Sequence, residues 1–331
     1  MPIASAPDLS ILIVNYKTPH LIVDCLRTVH EYTRGITFEV IVVDNESGDN
    51  SREVVLGSFP DVRWFDMGYN AGFARANNRG IDQARGRLIL LLNSDTLLRD
   101  NVLKRCADIL DQQPDVAAVS PMQVTRHGKV HVDVFHGFNQ IRRFFFVFPS
   151  TPFFQRLLLK FLPDRQYTDP NQVDWLAGSF IMTRRSVIER AGKLDEDFFM
   201  YGEDIEWGSR LWKQGRILML RDAYYVHLEY GSSPEYQQTA FSHINRFKTQ
   251  MQVSNLLWIR KQYGIGAYLV LILHYLTMVP VIFGWKIAVN LRDGRPPLAQ
   301  LQNQVEFAKK VGVFLRFFGK TLFNKTYFYK I

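Results

Sequence analysis

Three stretches of this chain put carboxylates, amides and an imidazole where chemistry could follow. In LLLNSDT, residues 90–96, a fully apolar run delivers Asp95 into a tight polar turn behind Asn93 and Ser94. Oxygen ligands of this kind suit a hard divalent cation, and a cation there would stabilise a departing diphosphate as charge builds on it. In DEDFFMYGEDIEWGSRLWKQG, residues 195–215, Gly202 precedes Glu203 and Asp204 at the start of a helical pattern that Gly215 ends. The helix macrodipole favours one acid at that position. Two adjacent acids exceed what capping needs, and an ionised carboxylate can take the proton of an attacking hydroxyl. Asp204 is the favoured base, with Glu203 beside it. His227 follows the strand-like segment Ala223–Val226 and precedes Tyr230-Gly231-Ser232-Ser233. It is either a structural histidine or a neutral imidazole that completes a metal site poor in oxygen. Asn70-Ala71-Gly72-Phe73 opens a helix and either offers backbone N–H groups to a phosphate or forms an ordinary cap.

These residues need a frame, and the apolar pattern supplies one. Leu9–Val14 and Glu39–Val43 read as buried parallel strands ended by Asn15 and by Asp44-Asn45. Between them Thr18 and Pro19 start a helix carrying Leu21, Ile22, Cys25, Leu26 and Val29 at helical spacing. Helices near 51–56, 72–84 and 100–112 alternate with strands at 62–65, 88–92 and 116–119. The alternation implies an α/β domain, a parallel sheet with helices on both faces. Ligands in such sheets gather at the carboxyl ends of the strands, where Asn15, Asp44, Asn45, Asn93, Ser94 and Asp95 all fall.

Several classes are excluded. A nucleotide-binding oxidoreductase would carry a glycine fingerprint after the first strand, where this chain has Asn15-Tyr16-Lys17-Thr18. A sugar nucleotidyltransferase would carry a Gly-rich basic loop at the same place. The two cysteines, Cys25 and Cys106, lack the paired spacing of a disulfide framework or a Cys-based metal site, which fits a reducing compartment. The first ten residues, MPIASAPDLS, show neither the basic nor the apolar region of a secretory signal. The net charge of +8 is concentrated at one end: residues 284–331 hold nine Lys/Arg against two acids, which leaves the remainder near neutral. Nucleic acid is therefore not expected as a partner.

In order and spacing these pieces resemble the family 2 glycosyltransferases, in particular the bacterial rhamnosyltransferase-like branch. The matching stretches are SILIVNYKT at 10–18, VIVVDNESGDNS at 40–51, NAGFARANNRGI at 70–81, LLLNSDT at 90–96, WLAGSFIMTRR at 175–185 and FFMYGEDIEWGSRLWKQG at 198–215. The resemblance implies a GT-A fold with a mainly parallel mixed sheet, a catalytic domain over 8–235 with a donor half (8–120) and an acceptor half (121–235), and a helical segment over 236–331. It implies Asn15, Tyr16, Asp44, Asn45, Asn70, Asn93 and Ser94 on a nucleotide-sugar donor, with a dTDP-sugar such as dTDP-L-rhamnose favoured over UDP- or GDP-sugars. Asp95 and His227 would hold Mg2+ or Mn2+, Asp204 would be the base of an inverting displacement, and Trp175 and Gly178 would line the acceptor side. The family's Asp-x-Asp pair is Asn93-Ser94-Asp95 here. A sugar-nucleotide sensor without catalysis is the rival of another class; it would need the donor residues but not Asp204.

Beyond the catalytic pattern, Ala267–Trp285 holds nineteen residues without Lys, Arg, Asp or Glu, interrupted by His274 and Pro280. That length matches a bilayer crossing, but a single span would leave the basic end outside, against the positive-inside tendency. The expectation is a re-entrant or interfacial segment broken at Pro280, both flanks cytoplasmic, on the inner membrane, in a monomer or oligomer. Basic residues among Phe307, Phe314, Phe317 and Phe318 suit an anionic surface. A lipid-linked, polyprenyl-diphosphate saccharide is then the expected acceptor. A second aromatic and basic stretch, 141–162, reads as core packing beneath a loop or as a rim near the acceptor.

Overall fold

Strands that are apolar on both faces must be covered on both, and the computed structural model covers them with helices. The structure describes residues 6–130, 135–137, 141, 145–149, 151–161, 163, 166–228, 244, 245 and 247–331; Arg142, Arg143, Phe144 and Tyr230–Ser233 lie outside them. The elements run β1 (Leu9–Asn15), α1 (Pro19–Tyr32), β2 (Phe38–Asp44), α2 (Ser51–Ser58), β3 (Arg63–Asp66), α3 (Gly72–Gln83), β4 (Leu88–Leu92), β5 (Thr96–Leu97), α4 (Val102–Gln112) and β6 (Val116–Val124). Then follow α5 (Thr151–Phe161), β7 (Gln172–Val173), β8 (Phe180–Arg184), α6 (Arg185–Ala191), α7 (Glu203–Trp212), β9 (Arg216–His227), α8 (Thr249–Arg292) and α9 (Gln302–Leu322). They form two units, one of residues 1–135, 167–199 and 203–236, the other of 136–166, 200–202 and 237–331.

The first unit is a nine-stranded sheet ordered β3-β2-β1-β4-β8-β6-β9-β5, with β7 on β9. β1 is parallel to β2 and β4, β2 to β3, and β6 to β9, whereas β8 runs against both β4 and β6. The sheet is thus mixed, and the strands that bear the polar ends all point one way. Strand alternation divides its core: Leu9, Ile11 and Ile13 face the side covered by α1 and α4, while Leu12 faces the side that holds Trp175, Trp207 and Leu211. Register sets what meets at the ends, since Asn15 pairs with Asp44.

Two strands run longer than their apolar signatures. β6 extends to Val124 and β9 begins at Arg216, seven residues before the strand-like segment at Ala223. Both carry polar residues that periodicity marks as termini but that pairing between the two strands accommodates, through a register shift at Pro121/Met122. β8 reverses direction inside WLAGSFIMTRR, which strand-helix alternation alone does not reveal.

In the second unit α8 passes through Pro280 without a break and interrupts its helical geometry at Gly264 instead (φ 85°, ψ −175°). The expected break at Pro280 is therefore corrected. A proline removes one N–H and crowds one carbonyl, which a long helix absorbs as a bend, whereas a φ of that sign stops the helical path outright. α8 buries Tyr268, Leu271, Ile272 and Tyr275 on one side, and the Tyr275 ring meets those of Phe314 and Phe307 of α9 at 5.3 and 6.3 Å. It is long and apolar enough to cross a membrane. Residues 145–149 pack in the same unit: the Val147 N–H donates to His274 Nε2 at 3.0 Å and Phe145 is buried, while Phe153 and Phe161 are exposed. The aromatic stretch at 141–162 is thus core at one end and surface at the other.

Gly72 begins α3 with φ 75°, and a Cβ there would lie 2.1 Å from the carbonyl oxygen of Phe199. Gly72→Ala must overcome both the left-handed backbone and that overlap. We expect it to destabilise the first unit by about 2–4 kcal/mol in denaturant unfolding.

Candidate active site

The carboxyl ends of β1 and β2 form one hydrogen-bonded cluster. The Asn15 amide donates to Asp44 Oδ1 at 2.7 Å and to Ser47 Oγ at 2.9 Å, and its oxygen accepts from Thr18 N–H at 3.2 Å. Asp44 also accepts from the Ser47 hydroxyl at 2.6 Å and the Ser47 N–H at 3.0 Å. Both side chains are buried, so every such bond replaces one to water. Tyr16, in the turn after Asn15, is partly buried with the Lys17 ammonium 5.5 Å above its ring. Asn45 reaches the next segment, donating to Asn70 Oδ1 at 3.2 Å and accepting from Ala71 N–H at 2.7 Å.

At Asn70–Phe73 the backbone amides find partners in the protein. Asn70 N–H donates to Glu46, Ala71 N–H to Asn45, Gly72 N–H to Asn70 Oδ1 and Phe73 N–H to the Phe199 carbonyl.

At the end of β4, Ser94 Oγ accepts from the Thr18 hydroxyl at 3.1 Å, which ties this turn to the Asn15 cluster. Asp95 is 6% exposed, and its Oδ1 lies 3.0 Å from His227 Nε2. The two meet because β5, just past Asp95, pairs with the end of β9 through Thr96 and His227. Asn93 Nδ2 is 3.4 Å from the same imidazole nitrogen. On the ring's other side Gln123 Nε2 lies 3.1 Å from Nδ1, and Gln123 Oε1 accepts from Ser179 and Tyr225. Gln123, Ser179 and Tyr225 escape a reading of the sequence, because a polar residue inside a strand, as Gln123 and Tyr225 are, or just before one, as Ser179 is, gives no periodic signal. Among the described residues no cluster of three or more His, Cys, Asp or Glu could hold a metal by itself. One carboxylate and one imidazole nitrogen at 3.0 Å nevertheless fit a cation whose other ligands are ligand or water oxygens.

The Asn93 N–H donates to the Ser179 carbonyl, which brings the loop 174–179 to this end of the sheet. From that loop the Gly178 N–H donates to Asp204 Oδ2 at 3.1 Å, while Ile205 N–H donates to Oδ1 at 2.9 Å. A Cβ on Gly178 would come within 3.1 Å of the Phe73 ring and 3.7 Å of Asp204 Cβ. Glu203 is 5% exposed, and its Oε2 lacks a hydrogen-bond partner among the described residues. Burial pushes the Glu203 carboxyl well above its usual range, and the neighbouring Asp204 charge pushes the same way. Burial raises Asp204 to about 6 against the N–H bonds from Gly178 and Ile205 that favour its ionised form. Of the pair, Asp204 is the one whose carboxylate is held by N–H donors. Trp175 is largely buried, its ring 5.2 Å from that of Phe135 and its Cβ against Gly208 of α7. Its Nε1 has no hydrogen-bond partner among the described residues. Trp175 therefore supports α7 from behind, and Gly178 is the residue of that loop in contact with Asp204.

With this arrangement in place, the comparison with known families is decisive. Residues 10–192, more than half the chain, match the model of glycosyl transferase family 2. The chain belongs to glycosyl transferase family 2. Among curated family relatives, the low-salt glycan biosynthesis hexosyltransferase Agl10 of Haloferax volcanii is 31% identical over 205 residues, 60% of this chain and 60% of that protein. The N-acetylglucosaminyl-diphospho-decaprenol L-rhamnosyltransferase of Mycobacterium tuberculosis is 27% identical over 190 residues, 53% of this chain and 61% of that protein. The aligned part thus spans about three-fifths of each relative's length. In fold, the chain is similar to the mannosyltransferase PcManGT from Pyrobaculum calidifontis, solved with GDP-Man and Mn2+, at a TM-score of 0.56 and 17% identity over 97% of this chain and 89% of that one. The family 2 sheet described above is the GT-A fold.

The raised carboxyl of Asp204 has a consequence for stability in this family 2 domain. Its folded-state value lies above that of the unfolded chain, so its contribution is fully present below about pH 4 and is lost as pH rises through about 6. Asp204→Asn, which cannot ionise, is expected to match the native protein in thermal unfolding near pH 4 and to exceed it at pH 7.5. Equal midpoints at both pH values would count against the shift.

Proposed function

We propose that this chain is an inverting glycosyltransferase that moves a sugar from a nucleotide-diphosphate donor to an acceptor hydroxyl, with Asp204 as the base. The observation that carries the reading is the bond from Gly178 N–H to Asp204, since it holds a partly exposed carboxylate on the same loop that Asn93 bonds through Ser179. In the reaction the hydroxyl oxygen bonds to the anomeric carbon on the face opposite the leaving diphosphate. The carbon–oxygen bond to the diphosphate breaks, its electron pair stays with the leaving nucleoside diphosphate, and the hydroxyl proton passes to Asp204. Glu203 is buried beside it, and burial works against a second negative charge next to Asp204. Asn15, Tyr16, Asp44, Asn45, Asn93 and Ser94 take the nucleoside side of the donor, with Asn70 bracing Asn45. Asp95 and His227 would hold Mg2+ or Mn2+, whose charge offsets that of the diphosphate.

For the finer assignment, the rhamnosyltransferase resemblance and the name of the M. tuberculosis relative support L-rhamnose from dTDP-L-rhamnose, and a polyprenyl-diphosphate saccharide as acceptor. The second unit supports attachment to a membrane surface. α8 exposes Ile265, Leu269, Val270, Leu273 and Leu276, although its opposite face is already buried. Apolar side chains exposed in a row beside a basic segment match an anionic bilayer, and we place the protein on the cytoplasmic face of the inner membrane.

Four measurements test this. Asp204→Asn is expected to lower kcat by roughly 10²–10⁴-fold while donor binding, read by thermal shift with dTDP-L-rhamnose and Mg2+ or Mn2+, stays within about twofold. In the native enzyme kcat/KM should rise with pH through about 6. Full transfer by the variant would remove Asp204 as base, and donor binding without transfer by the native chain would favour a sensor. For the membrane, Val270 and Leu273 are 59% and 62% exposed, so replacing both with Asp leaves the buried face intact. Co-sedimentation with vesicles of anionic phospholipid should fall at least tenfold, and unchanged sedimentation would defeat the interfacial assignment.

A further inference from the structure

His227 is held by a buried chain of polar groups that the transfer reaction does not by itself require. Gln123, Ser179 and Tyr225 are 4%, 5% and 1% exposed. Gln123 Oε1 accepts from Ser179 Oγ at 3.0 Å, and Tyr225 Oη, 3.1 Å from Oε1 and 2.6 Å from Ser179 Oγ, gives its one proton to Ser179 Oγ. This turns the Gln123 NH2 group toward His227 Nδ1 at 3.1 Å. In this amide orientation the NH2 group can only donate, so Nδ1 is the acceptor and the ring proton sits on Nε2. Nε2 then donates to Asp95 Oδ1 at 3.0 Å, with Asn93 Nδ2 at 3.4 Å beside it. In this tautomer Nε2 has no free electron pair.

A half-turn of the Gln123 amide exchanges its oxygen and nitrogen without moving its outline. Its oxygen would then accept a proton carried by Nδ1, and its NH2 would donate to the Ser179 and Tyr225 oxygens. Ser179 can pass its proton to Tyr225, and Tyr225 to Ser120, a hydroxyl neighbour of its own. The same heavy atoms therefore allow two hydrogen-bond patterns. They differ in whether the Nε2 electron pair is blocked or free.

We propose that Gln123 is the positioning residue that sets the tautomer of His227, placing the ring proton on Nε2 toward Asp95 in one amide orientation and freeing Nε2 for a divalent cation in the other. The inference rests on the reading of Asp95 and His227 as cation ligands. It goes beyond that reading in making their readiness depend on a neutral amide one strand away.

The full chain, uniformly labelled with nitrogen-15, gives a direct readout in long-range proton–nitrogen spectra of the His227 ring. Without metal the native ring should carry its proton on Nε2, and titration with CdCl2, which is diamagnetic, should move it to Nδ1. Gln123→Glu, whose carboxylate accepts from Nδ1, should show a protonated Nδ1 before any metal is added. Gln123→Met should leave a mixture of tautomers and weaken MnCl2 binding, followed by electron spin resonance, by about 10-fold or more. A metal-free native ring already protonated on Nδ1, or tautomer and Mn2+ affinity unchanged in both variants, would overturn the proposal. If Gln123→Met does not fold, the near-isosteric Gln123→Glu decides it alone. His227→Ala with unaltered Mn2+ affinity would instead remove His227 from the cation site, and the metal-free spectra would still report whether Gln123 sets the ring.

Discussion

A strand covered on both faces can place polar side chains cheaply only where it ends, and the rest of the site follows from that constraint. β1, β2 and β4 are buried along their apolar lengths, so Asn15, Asp44 and Asn93-Ser94-Asp95 fall where the cover stops. Parallel pairing in register then sets Asn15 beside Asp44. An antiparallel partner would have sent one of the two to the opposite edge. The backbone bonds from Asn93 to Ser179 and from Gly178 to Asp204 carry the same edge over to α7, which starts at the acids.

The legible part of this architecture was whatever repeats or terminates. Continuous apolar runs located β1, β2 and β4 to within a residue or two, and Thr18-Pro19, Gly72 and the Glu203-Asp204 pair marked helix starts. The direction of β8 was not legible, because WLAGSFIMTRR has the same apolar content whether it runs with or against β4. Gln123, Ser47, Ser179 and Tyr225 were invisible for another reason: their importance lies in partners 32 to 104 positions away, and no local spacing encodes such pairs. Pro280 drew attention from Gly264, because proline announces its effect in composition whereas a glycine shows its conformation only in the folded chain.

Charge needs the same care in the second unit. The basic surplus of residues 284–331 is not all surface: Lys310 is 7% exposed, its Nζ donating to the Phe247 and Asn245 carbonyls at 2.7 and 3.4 Å, and burial lowers its affinity for a proton. A lysine so placed closes backbone acceptors. The charge that can meet lipid headgroups is therefore smaller than the formal count, and the apolar stripe of α8 has a correspondingly larger share in any attachment.

The bond between Gly178 and Asp204 has an evolutionary corollary. Its donor is main chain, so no exchange of side chain at position 178 deletes it; a substitution there would act by pressing on Phe73. The hold on this carboxylate is thereby insulated from drift in the neighbouring side chains. Under the proposed reaction, a lineage could re-tailor its acceptor by changing those neighbours one at a time while the direction of proton removal stayed the same.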